Sequence, residues 1–397
     1  MAKKLKILEI TPYFYPAWAY GGIPRVAYEL SKEMARRGHE VTVCTTDALD
    51  STSRHKEGSS VIDGINVHYF RNLSNSLAYN YQLFLPAGLT GFIRRNIGLI
   101  DIIHLHGHRH FLNNIVRHYA LQRKKPYILS GHGTAVNIER MLFAKRVFDV
   151  FFGKSVLRDA SGFIAVSEAE RKQYEGMGID KRKVSVIYNG IDCAAFERLP
   201  EKGVFRKKHG LEGRKIILFL GKITPRKGVD FLVRAFSGLN DRTSVLVIAG
   251  NDMGFKGRVV EIVRQMSLSE RVIFTGLLTG EDKLSAYRDA DVVVYPAVFE
   301  IFGLVPFEAM MCGTPVIVTD DCGCGEIIGR EEIGYTVRYN DVKGLADMLR
   351  GVLLNRTDAL RRAEKGKGFV RGRLSWDTVG NQYEGFYRSV LEKPLST

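Results

Sequence analysis

Short apolar runs alternate with amphipathic stretches along the whole chain, in two successive series, and this alternation constrains the fold more than any single motif. The first series runs through Leu5–Thr11, Val41–Thr45, Ile102–His106, Tyr127–Ser130, Phe163–Val166 and Val184–Tyr188. The second runs through Ile216–Leu220, Val245–Ala249, Val272–Thr275, Val292–Tyr295, Pro315–Val318 and Tyr335–Val337. Runs this short and apolar read as strands buried on both faces, and the stretches between them have helical spacing. Each series therefore predicts a parallel sheet covered by helices on both faces. Val26, Leu30 and Met34 mark one such helix, with Pro24 in its first turn and Gly38 just past its end. After Asn189-Gly190-Ile191-Asp192 a polar stretch with Pro200 and Gly203 interrupts the pattern. A chain of 397 residues also exceeds what one hydrophobic core usually supports. Two α/β domains are expected, residues 1–195 and 196–375. An amphipathic segment, 376–397, is expected to return to the first domain through Tyr383, Phe386, Tyr387 and Val390.

Hydrophobic residues make up 45% of the chain and charged residues 25%, which excludes a disordered or fibrous protein. No apolar run reaches the roughly 18 residues that span a bilayer, and Met1 to Tyr15 lacks a cleavable apolar core. Five cysteines, an odd number, suit a reducing compartment better than a disulfide framework, so a cytoplasmic protein is expected. Cys322-Gly-Cys324 is a close pair, but a metal site would need further ligands. The net charge is +15, and the first 200 residues hold 28 Lys and Arg against 18 Asp and Glu. Such a field suits nucleic acid or an anionic membrane surface. No nucleic-acid module is present, and nucleic acid is not expected as a partner. Leu89–Ile100 and Met141–Leu157 mix large apolar residues with Arg94, Arg95, Lys145, Arg146 and Lys154, as interfacial helices do; the alternative is that both apolar faces belong to the first core.

Several short segments could carry chemistry. Gly21-Gly22 precedes the first helix, whose N–H groups and dipole attract phosphate; a plain turn explains a glycine pair equally well. Gly221-Lys222-Ile223-Thr224-Pro225-Arg226-Lys227-Gly228 occupies the corresponding loop of the second series, where Lys222, Arg226 and Lys227 would hold a diphosphate; the alternative is a solvated basic loop. Neither loop has the Gly and Lys spacing of a P-loop ATPase. Glu300-Ile-Phe-Gly-Leu-Val-Pro-Phe-Glu308 sets two carboxylates around a helix start after a buried strand, where ligands bind in open α/β sheets, although acidic residues there also complement the helix dipole. His132 stands between two glycines at a strand end, where a side chain is presented rather than packed; a core histidine is the alternative. His104-Leu-His-Gly-His-Arg-His110 alternates imidazoles, and a metal site is conceivable without an acidic partner assignable by spacing. Asp289-Ala-Asp291 has metal-binding spacing but falls where a helix end meets a strand, which explains its polarity.

Taken in order, these residues resemble the family-4 glycosyltransferases, with matches over nearly the whole chain. The anchors are Tyr15-Pro16, Gly21-Gly22 and Arg25, then Arg37-Gly-His-Glu-Val41, Ala165-Val-Ser-Glu168, Val186-Ile-Tyr-Asn-Gly-Ile-Asp192 and Arg226-Lys-Gly228. They continue through Val247-Ile-Ala-Gly250, Val272-Ile-Phe-Thr-Gly276, the Glu300 to Glu308 segment and Met310-Met-Cys-Gly-Thr-Pro-Val316. The resemblance implies the GT-B fold, two Rossmann-like domains facing each other. It also implies a retaining transferase that needs no metal and no cofactor and moves a sugar from a UDP- or GDP-linked donor to an acceptor hydroxyl.

By resemblance, Gly22 donates its backbone N–H to the diphosphate, Lys227 neutralises it, and Lys222 contacts it where the family more often has arginine. Glu308 holds the ribose, Glu300 the transferred sugar, and the N–H groups of Phe302, Gly303 and Leu304 close around sugar and phosphate. His132 touches the sugar near the reacting carbon. Gly323-Cys-Gly-Glu326 departs from the two adjacent glycines usual there. The acceptor expected is a glycan or lipid-linked glycan, with the enzyme peripheral on the inner face of the cell membrane. An epimerase or phosphorylase of the same architecture, or a basic membrane-surface binding protein, is the alternative.

Overall fold

The computed structural model describes residues 3–135, 142–239 and 241–393. The chain divides into two compact units, residues 1–190 with 376–397, and residues 191–375. The expected boundary after residue 195 falls five residues later than this division. Ile191 joins the second unit, where its N–H donates to the Leu374 carbonyl at 2.6 Å.

The first unit holds strands β1 (Lys6–Ile10), β2 (Glu40–Thr46), β3 (Ser59–Ile62), β4 (Ile65–Phe70), β5 (Ile102–His106), β6 (Tyr127–Ser130), β7 (Gly162–Ala165) and β8 (Val184–Val186). They form one sheet in the order β3-β4-β2-β1-β5-β6-β7-β8, parallel except where β3 pairs with β4. Successive strand residues point to opposite faces, and both faces are buried. Ile7, Val43, Ile102, Ile128 and Ile164 pack with Val26, Leu30 and Met34 of the helix Gly22–Arg36. Val379, Tyr383 and Tyr387 of the helix Trp376–Glu392 join that cluster. Arg36 and Arg37 pin the same helix through Asp377 and Asn381 at 2.9 and 2.6 Å. Leu8, Ile10, Ile103, Leu105 and Leu129 form the other face with Leu89, Ile93, Leu112 and Val116.

The helix Leu89–Asn96 thus spends its apolar face on the core, with Leu89, Ile93 and Ile97 fully buried, and is not an interfacial helix. The run 142–159 differs. Val156 is buried, but Phe143 is 81% exposed, Phe151 71% and Val150 63%. Met141 and the side chain of Lys145 lie outside the described residues.

The second unit holds β9 (Lys215–Leu220), β10 (Ser244–Ala249), β11 (Val272–Gly276), β12 (Val292–Tyr295), β13 (Val316–Thr319) and β14 (Tyr335–Val337). All pairs are parallel, in the order β11-β10-β9-β12-β13-β14. Ile217, Phe219, Leu246 and Ile248 pack against Phe231, Leu232, Phe236 and Leu349. Asp289 and Asp291 serve this framework. Asp289 caps the helix Val204–His209 by accepting from the N–H of Gly203 (2.6 Å) and of Arg206 (3.0 Å), and Asp291 accepts from Ile216 (2.8 Å) and the Arg206 guanidinium (2.9 Å).

Each sheet has one place where strand order reverses. From β1 the chain winds outward through β2 and β4 and then returns to β5 on the other side; from β9 it winds through β10 and β11 and returns to β12. Loops on either side of such a switch point splay apart at the carboxyl ends of the strands and leave a crevice for a ligand.

Candidate active site

In the second unit the basic loop follows β9 and the acidic segment follows β12, so both lie at the switch point. Thr224 precedes a single tight turn, Pro225–Lys227, and Gly228 at φ 63° leads into the helix Val229–Ser237. A Cβ at Gly228 would sit 2.1 Å from the Pro296 carbonyl oxygen, so glycine is required for the loop after β9 to reach that after β12. The contact brings Lys227 to Glu300. The ammonium donates to the Glu300 carboxylate and to the Tyr295 hydroxyl (2.5 Å) and lies 4.8 Å from the Tyr295 ring centroid. The Tyr295 hydroxyl donates to the same carboxylate oxygen at 3.2 Å.

Burial pushes the Glu300 carboxyl up, but the Lys227 charge and hydrogen bond outweigh it and hold the group below the ordinary carboxylate range. The Tyr295 phenol is pushed well above its usual value by burial and then by Glu300. Lys222 is lowered by burial and by Lys227. The site therefore presents an ionised carboxylate against a cation, and an anionic ligand would compete with Glu300 for Lys227.

The backbone after Glu300 is shaped by two glycines. A Cβ at Gly323 would overlap the Ile301 carbonyl oxygen at 1.9 Å, and Gly303 at φ 83° lies against Tyr295 and Cys324. The N–H groups of Gly303 and Leu304 have no acceptor among the described residues, and the Phe302 ring packs 5.4 Å from Phe307. The helix itself is Val305–Met311. Glu308 lies on its first turn, apart from Glu300. Lys283 donates to both Glu308 carboxylate oxygens at 3.1 Å and the Tyr287 hydroxyl donates at 2.9 Å. The Cys322 and Cys324 sulfurs, both buried, are 3.2 Å apart beside this segment.

In the first unit, Gly21 at φ 110° opens the helix whose first residue is Gly22, and a Cβ at Gly22 would meet nothing within 4 Å. His132 follows β6 at φ 50° and Gly133 at φ 77°. Glu170, on the helix Glu168–Gly176, enforces this turn by accepting from the Gly133 N–H (2.6 Å) and the Val166 N–H (2.8 Å), while the Tyr174 hydroxyl accepts from the Gly131 N–H (2.7 Å). The histidine run does not converge as a whole. His108 lies 3.6 Å from Asp149, and His110 packs against Tyr13 and Phe84. His104 and His106 instead meet Glu9 of β1, all three fully buried, with ligand atoms within 4.8 Å of one another. His106 Nε2 is 2.6 Å from Glu9 Oε2, a hydrogen bond, whereas two atoms of a tetrahedral zinc shell lie about 3.3 Å apart at bonds of roughly 2 Å.

Sequence reasoning did not single out Glu9, Glu170, Lys283, Tyr287 or Tyr295. Glu9 in the apolar run Lys6–Ile10 and Glu170 just after Ala165-Val-Ser-Glu168 were the legible signals, since a carboxylate in or beside a buried strand must have partners.

Two Rossmann-like units, each with charged side chains at its switch point, define a GT-B architecture. Solved structures share it over nearly the whole chain. Anabaena HepE in complex with UDP matches with a TM-score of 0.78 at 19% identity, over 97% of this chain and 100% of that one. The sucrose-phosphate synthase of Thermosynechococcus elongatus matches with a TM-score of 0.74 at 21% identity, over 98% and 99%. An uncharacterised glycosyltransferase of Methanocaldococcus jannaschii is 29% identical over 98% of this chain and 99% of its own length. The D-inositol 3-phosphate glycosyltransferase of Actinosynnema mirum is 28% identical over 90% and 89%. Residues 20–195 match the model of glycosyltransferase family 4, and residues 201–369 that of glycosyl transferases group 1. The chain belongs to the group 1, family-4 glycosyltransferases and is an enzyme of that class.

Proposed function

We propose that the enzyme transfers a sugar from a nucleoside diphosphate sugar to an acceptor hydroxyl with retention of anomeric configuration and without a metal ion. The observation that carries this reading is the Lys227–Glu300–Tyr295 cluster at the switch point of the second unit, with Glu308 on the first turn of the helix Val305–Met311 that follows Glu300 in the chain. Lys227 and Lys222 would neutralise the diphosphate, Glu308 hold the ribose hydroxyls, and Glu300 accept from a sugar hydroxyl. The N–H groups of Phe302, Gly303 and Leu304 would cradle sugar and phosphate, Gly22 offer a backbone donor to the diphosphate, and His132 bond a sugar hydroxyl near the reacting carbon. In the transfer the bond from the anomeric carbon to the diphosphate oxygen breaks, the acceptor oxygen bonds the same face, and its proton passes to the departing diphosphate. Positioning and stabilisation of that leaving group supply most of the catalysis. HepE complexes with UDP and with UDP-glucose support a uridine donor.

A membrane-near acceptor, such as a lipid-linked glycan, is favoured by the exposed Phe143, Val150 and Phe151 beside Arg146, Lys154 and Arg158, in the half of the chain with the larger positive charge. The test is acceptor-dependent release of nucleoside diphosphate, with the anomeric configuration of the product read by NMR. Release that occurs equally without acceptor, or an inverted product, refutes the reading.

A further inference from the structure

The switch point of the first unit carries a buried chain of polar groups that ends at His132. Glu9 lies on β1 in register with His104 of β5, and His106 of β5 is in register with Ser130 of β6. His106 joins two neighbours. Its Nε2 is 2.6 Å from Glu9 Oε2, its Nδ1 is 3.1 Å from His132 Nε2, and the planes of the two imidazoles are 4° apart. His104 contacts Glu9 at 3.2 Å, Tyr387 at 2.9 Å and Ser130 at 2.7 Å, and has no hydrogen bond to His132.

These contacts constrain where the protons sit. Burial pushes the Glu9 carboxyl up, but its contacts with the His104 and His106 imidazoles bring it down to about 2, so it is ionised and can only accept. His106 Nε2 must then carry a hydrogen. With a single ring hydrogen on His106, its Nδ1 is an acceptor, and the hydrogen between the imidazoles then belongs to His132 Nε2. Burial holds the His132 imidazole well below its ordinary value and so neutral. Its Nδ1 is thereby a lone pair, and that atom has no hydrogen-bond partner among the described residues.

We propose that Glu9 and His106 are positioning residues that fix the tautomer and ring orientation of His132, so that its Nδ1 accepts a hydrogen bond from a substrate hydroxyl. The proposal rests on the role given to His132 above. An ionised carboxylate orienting one imidazole is the arrangement that selects a tautomer in hydrolase triads; here a second imidazole extends it by one link.

The test compares the full-length enzyme with His106→Phe, which keeps a ring but no nitrogen, and with His106→Gln, whose amide supplies one donor and one acceptor. His104→Phe is the matched control, because it also removes an imidazole from Glu9. Nitrogen NMR of histidine-labelled protein reports the His132 tautomer, and steady-state kinetics report kcat and the donor KM. The expected result is a mixed His132 tautomer and a kcat about tenfold or more lower in His106→Phe, with the donor KM unchanged. His106→Gln recovers the wild-type tautomer and most of kcat, and His104→Phe leaves the tautomer as it was. Unchanged His132 signals in His106→Phe, or equal effects of the two Phe variants, would overturn the proposal. A fully active His132→Ala would instead remove the role of His132 itself.

Discussion

Glu170 makes the stability of the first unit depend on pH in a calculable way. Burial pushes its carboxyl up to about 7 against an ordinary 4.5, and the N–H groups of Val166 and Gly133 only partly oppose the rise. Between these values the folded chain binds a proton that the unfolded chain has released. The contribution is fully present below about pH 4.5, declines by about 1.4 kcal/mol per pH unit, and is lost above about pH 7. A shift of roughly 2.5 units corresponds to about 3 kcal/mol. Glu170→Gln removes the titration and turns an amide N–H toward one of the two backbone donors, a separate cost of about 1–3 kcal/mol that does not vary with pH. Both tryptophans, Trp18 and Trp376, belong to the first unit, so their fluorescence in a urea titration of the full chain follows that unit. From pH 5 to pH 8 the wild type should lose about 2–3 kcal/mol more than the variant. Parallel pH profiles would refute the reasoning, because they would mean that the carboxyl is already ionised at pH 5.

Gly228→Ala should lower the thermal midpoint of the second unit and weaken nucleotide binding together, by about 2 kcal/mol or more in stability, since φ 63° and the Pro296 carbonyl both oppose a Cβ; calorimetry with and without nucleoside diphosphate reads both. Glu308→Leu strands the Lys283 ammonium beside Tyr287 and should cost about 3 kcal/mol, and adding Lys283→Met should recover much of it in a double-mutant cycle. Phe143→Ser with Phe151→Ser should reduce sedimentation with anionic vesicles at low salt and leave nucleotide binding intact; equal sedimentation of variant and wild type would count against membrane contact through that face.

Twelve strands were legible because each is a short apolar run bounded by turn residues. The other two, β3 and β4, were not, because β4 is buried only at alternate positions and β3 lies at the sheet edge with Val61 exposed. Their signal was local: Asp63-Gly64, both at positive φ, makes a two-residue hairpin turn between Ile62 and Ile65. The helix at 89–100 was ambiguous for a different reason, since apolar residues mixed with arginine look alike whether they face lipid or a core rim. Glu300 and Lys227 could be named as candidates, yet their contact depends on Gly228 meeting Pro296 across two loops 68 residues apart in sequence at Tyr295 and Lys227. The Glu9–His106–His132 chain crosses three strands, and pairing between strands distant in sequence leaves no local periodicity to read.

The most direct test of the central claim is calorimetric binding of a panel of nucleoside diphosphates and their sugars to wild type, Lys227→Ala and Glu308→Gln. Glu308→Gln keeps an oxygen for the Tyr287 hydroxyl while removing the charge. Wild type should bind with preference for one base, and binding should weaken by about tenfold or more in each variant, with the folded state of each variant verified separately. Binding of equal strength in all three proteins, or none to folded wild type, would contradict it.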